Sequence, residues 1–356
     1  MAASAVEVAD SFLRQQVMLL RVAEGERDKF LPFLRQMYTE IRDRLAKGEL
    51  TEFSQRRLER QLKAVDAAIE DLLAQYQLDL LADVEEIAEN EAGFTSRALA
   101  KLEFETDIPS PQQIRAALFS NPLSIKNGSL LKPFVEDWTA AERKAVTGVI
   151  RRGVFLGQTN AQIVQAIRGT RAARYQDGLL DITARNARTI AHTAVQHASS
   201  QARQALFDEN ADIVQGVQWL STLDSKTCQT CRSLDQRIFP KNKGPRSPIH
   251  PFCRCTTIPY LGKKYDFVTR AGTRASVGAD GGKQVAATLD YYSWLKLQPK
   301  SFIEMALGPK RAKLFIDGSL SSDRFAAMQL DRKWDPLTLS EMKELEPLAF
   351  ERAGLN

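Results

Sequence analysis

The chain has 356 residues, of which 44% are hydrophobic and 26% are charged, and its formal net charge is +5. This length and apolar content allow two or more domains and exclude an intrinsically disordered chain. No apolar run approaches the roughly 18 residues of a membrane span, so the sequence predicts no transmembrane segment.

Long amphipathic helices are predicted for residues 1–105. Apolar residues recur at spacings of three and four from Phe30 to Leu45, and a longer stripe runs from Leu58 to Ile87. At 1.5 Å per residue, the second helix would span about 45 Å. Leu58, Val65 and Leu72 also fall at heptad spacing. These helices could form an antiparallel hairpin within the chain or pack on a partner's helices, and packing within the chain is favoured.

Four prolines mark residues 106–134 as an irregular connection. Helical periodicity returns in residues 135–213, where Gly157 and Gly169 are predicted to end helices. His192 and His197 lie on the last of these helices. Five residues place them about 140 degrees apart around the axis, so they are predicted to be structural and not a zinc-binding pair.

The segment 214–260 contains all four cysteines and one of the three histidines of the chain. A C-x-x-C pair, Cys228 and Cys231, is followed after 18 residues by H-P-F-C-R-C. Short strands are predicted on both sides of each group, and Asp224 is predicted to cap the turn that precedes the first pair. The predicted fold is therefore mostly α, with a small α+β module of short strands closed by zinc.

Close cysteine pairs can direct their thiolates at one tetrahedral zinc ion, which makes structural zinc the preferred interpretation. Four ligands are expected from five candidates: Cys228, Cys231, His250, Cys253 and Cys255. The favoured set omits Cys255, which could substitute for His250. Disulfides and free buried thiols are the alternatives. Disulfides are disfavoured because no charged and apolar leader indicates export.

Residues 261–290 are rich in glycine and small polar residues, which predicts a flexible linker. Residues 291–356 are predicted to form an extension of short helices. Its predicted core residues are aromatic and aliphatic: Trp294, Leu295, Phe302, Leu307, Leu314, Phe315 and Phe325.

Basic residues are concentrated in the middle of the chain, where residues 141–205 and 224–270 each hold ten lysines and arginines against three acids. Such a region could contact the phosphates of duplex DNA weakly and without sequence preference, or it could be a solvated face. The candidate contacts are Arg151, Arg152, Arg168, Arg171, Arg174, Lys241, Lys243 and Arg246.

The motifs W-x-x-T-x-D-x-x-T-C-x-x-C and H-P-x-C-R-C, together with the helix before them, resemble the phage Mu F-like head morphogenesis domain over about residues 140–260. The C-terminal extension resembles that of some members. This family comprises minor head proteins of tailed phages, and Gln236 stands where a glycine would be expected.

The resemblance implies a structural protein and not an enzyme. It would lie inside the virion head near the portal, after assembly in the host cytoplasm, and would leave with the DNA at infection. The implied partners are the portal protein, the major capsid or scaffolding protein, and packaged DNA. The alternatives are a zinc-stabilised DNA-binding protein or an HNH-type nuclease, although the latter needs a histidine beyond the zinc ligands.

Overall fold

A computed structural model describes residues 5–46, 55–124, 128–241, 243–262 and 273–355. As predicted, this part of the chain is mostly helical, with two small antiparallel sheets. The helices before the first strand are α1 (Ala5–Ala46), α2 (Gln55–Ala100), α3 (Pro111–Ser120), α4 (Leu131–Phe155), α5 (Asn160–Arg168) and α6 (Leu179–Glu209).

The two longest helices, α1 and α2, form the predicted antiparallel hairpin. The start of α1 meets the end of α2, where Phe12 and Phe94 pack edge to face with ring centroids 5.4 Å apart. Further along α1, Lys29 pairs with Asp83 at 2.7 Å. From Leu62 onward, most of the apolar stripe of α2 is buried within this chain, and Leu72 and Ile87 are half-buried against the same cluster. The hairpin therefore packs on the chain's own helices, while the side chain of Leu58 lies outside the described residues.

Helix α6 runs through the centre of the helical part, and most of its residues from Ala187 to Arg203 are buried. Its alanine, serine and threonine side chains are short, which allows α1 and α2 to pack closely against it. Polar contacts fix this packing: the Gln16 amide of α1 donates to Gln196 at 2.7 Å, and Arg203 pairs with Glu91 of α2 at 2.5 Å.

The predicted irregular connection 106–134 is wrong in part, because it contains α3. Ser110 and Gln113 form a capping box at the start of this helix, and Pro111 occupies its first turn. Proline is well tolerated there because the amide N–H that it lacks would have no helical partner.

A three-stranded antiparallel sheet in the order β2-β1-β3 follows α6. Its strands are β1 (Gly216–Leu220), β2 (Ile238–Pro240) and β3 (Thr256–Tyr260), and helix α7 (Gln229–Leu234) lies between the first two. All three strands fall where short strands were predicted. Val217 and Trp219 pack with Leu206 and Phe207 of α6 in one cluster, so the sheet is joined to the helical part.

The predicted flexible linker 261–290 is wrong over its second half. Residues 263–272 lie outside the described part of the chain, but β4 (Thr273–Gly278) and β5 (Gly281–Ala286) pair as a hairpin. Gly281, at the end of the turn between β4 and β5, has φ +91°, a backbone conformation that glycine adopts without strain. Arg274 on β4 is 1% exposed and forms a bidentate pair with Asp235 at 3.0 and 3.2 Å.

Short helices complete the chain: α8 (Tyr291–Leu295), α9 (Lys300–Leu307), α10 (Pro309–Asp317), α11 (Ser322–Ala327), α12 (Leu339–Leu345) and α13 (Pro347–Arg352). Every residue predicted for the core of this extension is buried, and Tyr291 and Tyr292 join them. The Tyr291 hydroxyl donates to the Asp224 carbonyl at 2.6 Å, which connects the extension to the cysteine module. None of the described helices has the length and apolar character needed to cross a membrane.

Candidate metal centre

A tight turn after β1 positions the first cysteine pair. As predicted, the Asp224 carboxylate accepts from the backbone N–H groups of Lys226 and Thr227, at 2.9 and 3.0 Å. Cys228 is the N-cap of α7, and its sulfur accepts from the Cys231 N–H at 3.4 Å. Both sulfurs are thereby held at the first turn of α7.

The second half of the site is the loop between β2 and β3, which carries His250, Cys253 and Cys255. Arg254 donates through both terminal nitrogens to Asp224, with Nη2 at 3.0 Å. The Ser247 hydroxyl donates to the Cys255 carbonyl at 2.6 Å. The Ser247 bond holds the second half together, and the Arg254 bonds join it to the first half. One carboxylate therefore holds both the turn before the first cysteine pair and the arginine between the last two cysteines.

All five candidate ligands meet around Cys231. In each of two groups that share Cys231, the ligand atoms lie within 4.8 Å of one another: Cys228, Cys231 and His250; and Cys231, Cys253 and Cys255. All four cysteines are free, so the disulfide alternative is wrong.

Two distances in this cluster test its fit to zinc. The Cys231 sulfur lies 3.8 Å from the Cys253 sulfur and 3.5 Å from the His250 Nε2 atom. In a tetrahedral zinc site, two sulfurs lie roughly 3.8 Å apart, and a sulfur and a nitrogen lie roughly 3.5 Å apart. The donor set and its spacing therefore fit a zinc ion.

The orientation of His250 also fits a metal ligand. Its Nδ1 atom lies 2.7 Å from the Pro251 carbonyl oxygen, and a carbonyl can only accept a hydrogen bond. In the neutral ring, Nδ1 therefore carries the proton and Nε2 directs its lone pair at the sulfurs. Metal-binding histidines are commonly fixed in this way by a partner on the other ring nitrogen.

The thiols of the cluster differ in acidity. Hydrogen bonds from Cys231 and His250 lower the pKa of Cys228 to about 4, although burial opposes this shift. Cys231 and Cys255 lower the pKa of Cys253 well below its ordinary value, again against burial. Bonds to Cys228 and Cys253 raise the pKa of His250 to about 11. The cluster thus favours the thiolate, the form of cysteine that binds metal, at Cys228 and Cys253. Hydrogen bonds to Cys228 and Cys253, together with burial, raise the pKa of Cys231 well above its ordinary value. The bond to Cys231 lowers the pKa of Cys255, but the bond to Cys253 and burial outweigh it, so this pKa is also raised.

Residues 144–258 match the family model described as phage Mu protein F like protein. The chain carries a Mu F-like region. This match confirms the predicted resemblance, and the Mu F-like region includes α5, α6, β1 and all five candidate ligands. The family indicates a phage head morphogenesis protein and suggests a non-enzyme. No curated protein and no solved structure matches the chain significantly.

Phe252, which sequence analysis did not single out, anchors the ligand loop of the Mu F-like region to the helices. Its backbone has φ 61°, and its ring packs against the His192 ring with centroids 4.7 Å apart and an interplanar angle of 33°. The Arg188 guanidinium lies 5.3 Å from the Phe252 ring centre, and Glu24 of α1 contacts both Arg188 and His192. The motif H-P-F-C shows that Phe252 lies between two candidate ligands in the sequence. Its contacts with His192 and Arg188 depend on the tertiary structure, so sequence analysis did not predict them.

The other two histidines of the Mu F-like region have partners outside the cysteine cluster. His192 Nε2 lies 2.9 Å from Glu24, and His197 Nε2 donates to the Leu118 carbonyl at 3.0 Å. Both rings are buried on α6. These contacts agree with the predicted structural role.

The eight candidate DNA contacts form two groups at opposite ends of α6. The first basic group comprises exposed side chains near the start of α6: Arg151, Arg152, Arg168, Arg171 and Arg174. The second basic group lies near its end and comprises Lys241, Lys243 and Arg246. Since α6 is about 45 Å long, the two groups are separate surfaces.

Members of the second basic group are partly engaged within the chain. Arg246 donates to the backbone carbonyls of Pro240 and Lys243, each at 3.0 Å, and to Gln204 at 3.1 Å. Lys241 donates to the Asp208 carbonyl at 3.0 Å. Arg246 therefore supports its own loop and has fewer donors left for a phosphate than the exposed arginines.

Proposed function

We propose that this protein is a structural minor head protein of a tailed phage, which acts in procapsid assembly inside the head and close to the portal. The match of residues 144–258 to phage Mu protein F like protein carries this proposal. The partners would be the portal protein and the major capsid or scaffolding protein. Ejection with the DNA would follow from a position at the portal.

We further propose that zinc has a structural role in the Mu F-like region. Cys228, Cys231, His250 and Cys253 form the preferred ligand set, with Cys255 as the substitute for His250. The ion would join α7 to the loop before β3, because the two halves of the cluster come from these elements. A sheet of three short strands has a small core, and a metal would supply stability that this core lacks.

The contacts of the three histidines bear on the nuclease alternative. HNH-type chemistry requires a histidine beyond the structural ligands. Among the residues that the structure describes, His192 is engaged by Glu24 and His197 by a backbone carbonyl. A structural role therefore accounts for the three histidines without a catalytic one.

Elemental analysis of the purified protein tests the metal site. We expect one zinc per chain in the wild type and in His197→Gln, and loss of zinc in Cys231→Ser, which removes the ligand that both groups share. Loss of zinc in His250→Gln would assign the fourth position to His250, and retention of zinc would assign it to Cys255. His197→Gln is the matched control, because it removes a buried histidine outside the cluster. Absence of zinc from the wild type would refute the metal proposal.

Analysis of purified heads tests the assembly role separately. We expect the wild-type chain in heads at low copy number and in complexes that purify with the portal protein, with no DNA cleavage in the presence of divalent metal. Heads that assemble normally and contain none of the chain would refute the proposed function.

A further inference from the structure

A groove lies between the first part of α1, the ends of β1 and β3, and the β4–β5 hairpin. It encloses a cavity of about 400 Å³. The α1 side contributes one helix face, from Asp10 through Leu13 and Val17 to Arg21, and the opposite wall includes Thr222 and Ala275. The eleven helical rises between Asp10 and Arg21 give the groove a length of about 16 Å, which matches five residues of extended chain.

The α1 wall of this groove exposes apolar side chains. Val17 is 47% exposed and Met18 is 52% exposed, and both line the cavity beside Leu13. Adjacent exposed apolar residues in a concave surface are typical of a binding site, and methionine adapts its shape to different partners. The cavity is therefore suited to apolar side chains of a ligand.

The charge of the groove is positive. Arg21 makes no ion pair among the described residues and is exposed at one end of the face. Arg14 shares the face and pairs with Asp10 at 2.6 Å, and Arg254 on the opposite wall pairs with Asp224. Asp10 is the only carboxylate in the lining as described, and it is already paired. A ligand carboxylate would complement Arg21.

A buried polar group also lines the groove. Gln16 is 4% exposed and uses its amide nitrogen to bond Gln196, whereas its amide oxygen has no partner in the described structure. A buried amide atom without a partner costs free energy, and the amide nitrogen of Gln196 is likewise without a partner among the described residues. This amide pair lies directly behind the α1 wall of the groove.

We propose that this groove binds a short extended segment of another phage head protein, with apolar side chains against Val17 and Met18 and a carboxylate at Arg21. That the partner is a head protein rests on the proposed function, whereas recognition of an acidic, apolar segment rests on the groove itself. A peptide fits better than a lipid surface, because a bilayer does not follow a concave groove of this length.

Binding of two labelled peptides to the purified full chain tests this proposal by fluorescence anisotropy. The probes are fluorescein-Leu-Glu-Leu-Asp-Leu and fluorescein-Leu-Lys-Leu-Lys-Leu. We expect binding of the acidic peptide only, and a loss of about tenfold in affinity for Arg21→Glu. Arg35→Glu is the matched control, because Arg35 is also exposed on α1 but lies outside the groove. Circular dichroism and a thermal melt verify that both variants are folded.

Equal binding of the two peptides, or equal affinity of wild type and Arg21→Glu for the acidic peptide, would overturn the proposal. Binding of phosphatidylglycerol vesicles without peptide binding would overturn it in favour of a lipid surface. The head analysis separates the two proposals: a chain present in heads that fails the peptide test refutes the groove alone, and a chain absent from heads refutes the proposed function.

Discussion

At the scale of single residues, two buried ion pairs join parts of the chain that are distant in sequence. Arg203 of α6 pairs with Glu91 of α2 and also donates to Thr256 of β3. Arg274 pairs with Asp235, whose carboxylate also accepts from the Ser221 N–H at 2.7 Å. Charges removed from water are stable only when they are paired and hydrogen-bonded, so each pair depends on the packing around it.

We expect Arg274→Ala to destabilise the protein by about 3–5 kcal/mol, because it leaves the Asp235 carboxylate buried without its partner. Lys283→Ala is the control: it removes a solvent-exposed pair with Asp280 on the same hairpin and should leave the free energy of unfolding almost unchanged. Denaturant unfolding of the three proteins measures both changes. Equal losses for the two variants would contradict the structural role of the Arg274 pair.

His197 predicts a pH dependence of stability. Burial lowers its pKa from 6.5 to about 4. The unfolded chain therefore takes up a proton at a higher pH than the folded chain does, and stability is lost as the pH falls from about 6.5 to about 4. The full shift corresponds to about 3 kcal/mol. Glu26 acts in the opposite direction, because burial raises its pKa to about 7.

The difference between wild type and His197→Gln isolates this effect, because Glu26 is present in both proteins. We expect the free energies of unfolding to converge as the pH falls, with the wild type losing up to about 3 kcal/mol relative to the variant between pH 7 and pH 4. Urea unfolding at several pH values measures the two curves. Parallel curves would show that His197 is not buried in its neutral form.

At the scale of elements, sequence analysis predicted the structural features whose residue patterns are local and repeated. The stripe of α2 and the glycines after α4 and α5 fall in this class, as does the sequence around Cys228 and Cys231. Two elements were missed although their signals are present. Ser110-Pro-Gln-Gln113 has capping-box spacing, and Asp280-Gly281 is a hairpin turn sequence. Both were missed because the prolines of residues 106–134 were interpreted as an irregular connection and the glycines of residues 261–290 as a flexible linker.

The candidate site was predictable in part for the same reason. Cysteine and histidine spacing indicated all five members of the cluster, and Asp224 was predicted as the cap of its turn. The bond from Arg254 to Asp224 and the ring contact between Phe252 and His192 join residues about 30 and 60 positions apart. No periodicity in the sequence reports such contacts, because they depend on how β3 and α6 are packed.

At the scale of the whole molecule, the central helix sets the geometry of any contact with DNA. The two basic groups lie at opposite ends of α6, and their side chains have different surroundings. The arginines of the first group are exposed, although the Arg168 guanidinium also lies 4.7 Å from the centre of the Tyr175 ring. Arg246 instead donates to the carbonyls of its own loop. A duplex contacting the first group would therefore lie about 45 Å from the second. One short stretch of DNA does not reach both groups without following the length of the helical part.

This separation predicts which arginines control the salt dependence of DNA binding. Each phosphate contact contributes about 0.9 to the slope of log affinity against log salt. We expect Arg168→Ala, Arg171→Ala and Arg174→Ala in combination to lower the slope by about 2.7, whereas Arg246→Ala should leave it unchanged and reduce thermal stability instead. Titration of a duplex at several salt concentrations measures the slope. A slope that is insensitive to the triple variant would indicate that the first basic group is a solvated face, because its charges then release no counterions from DNA.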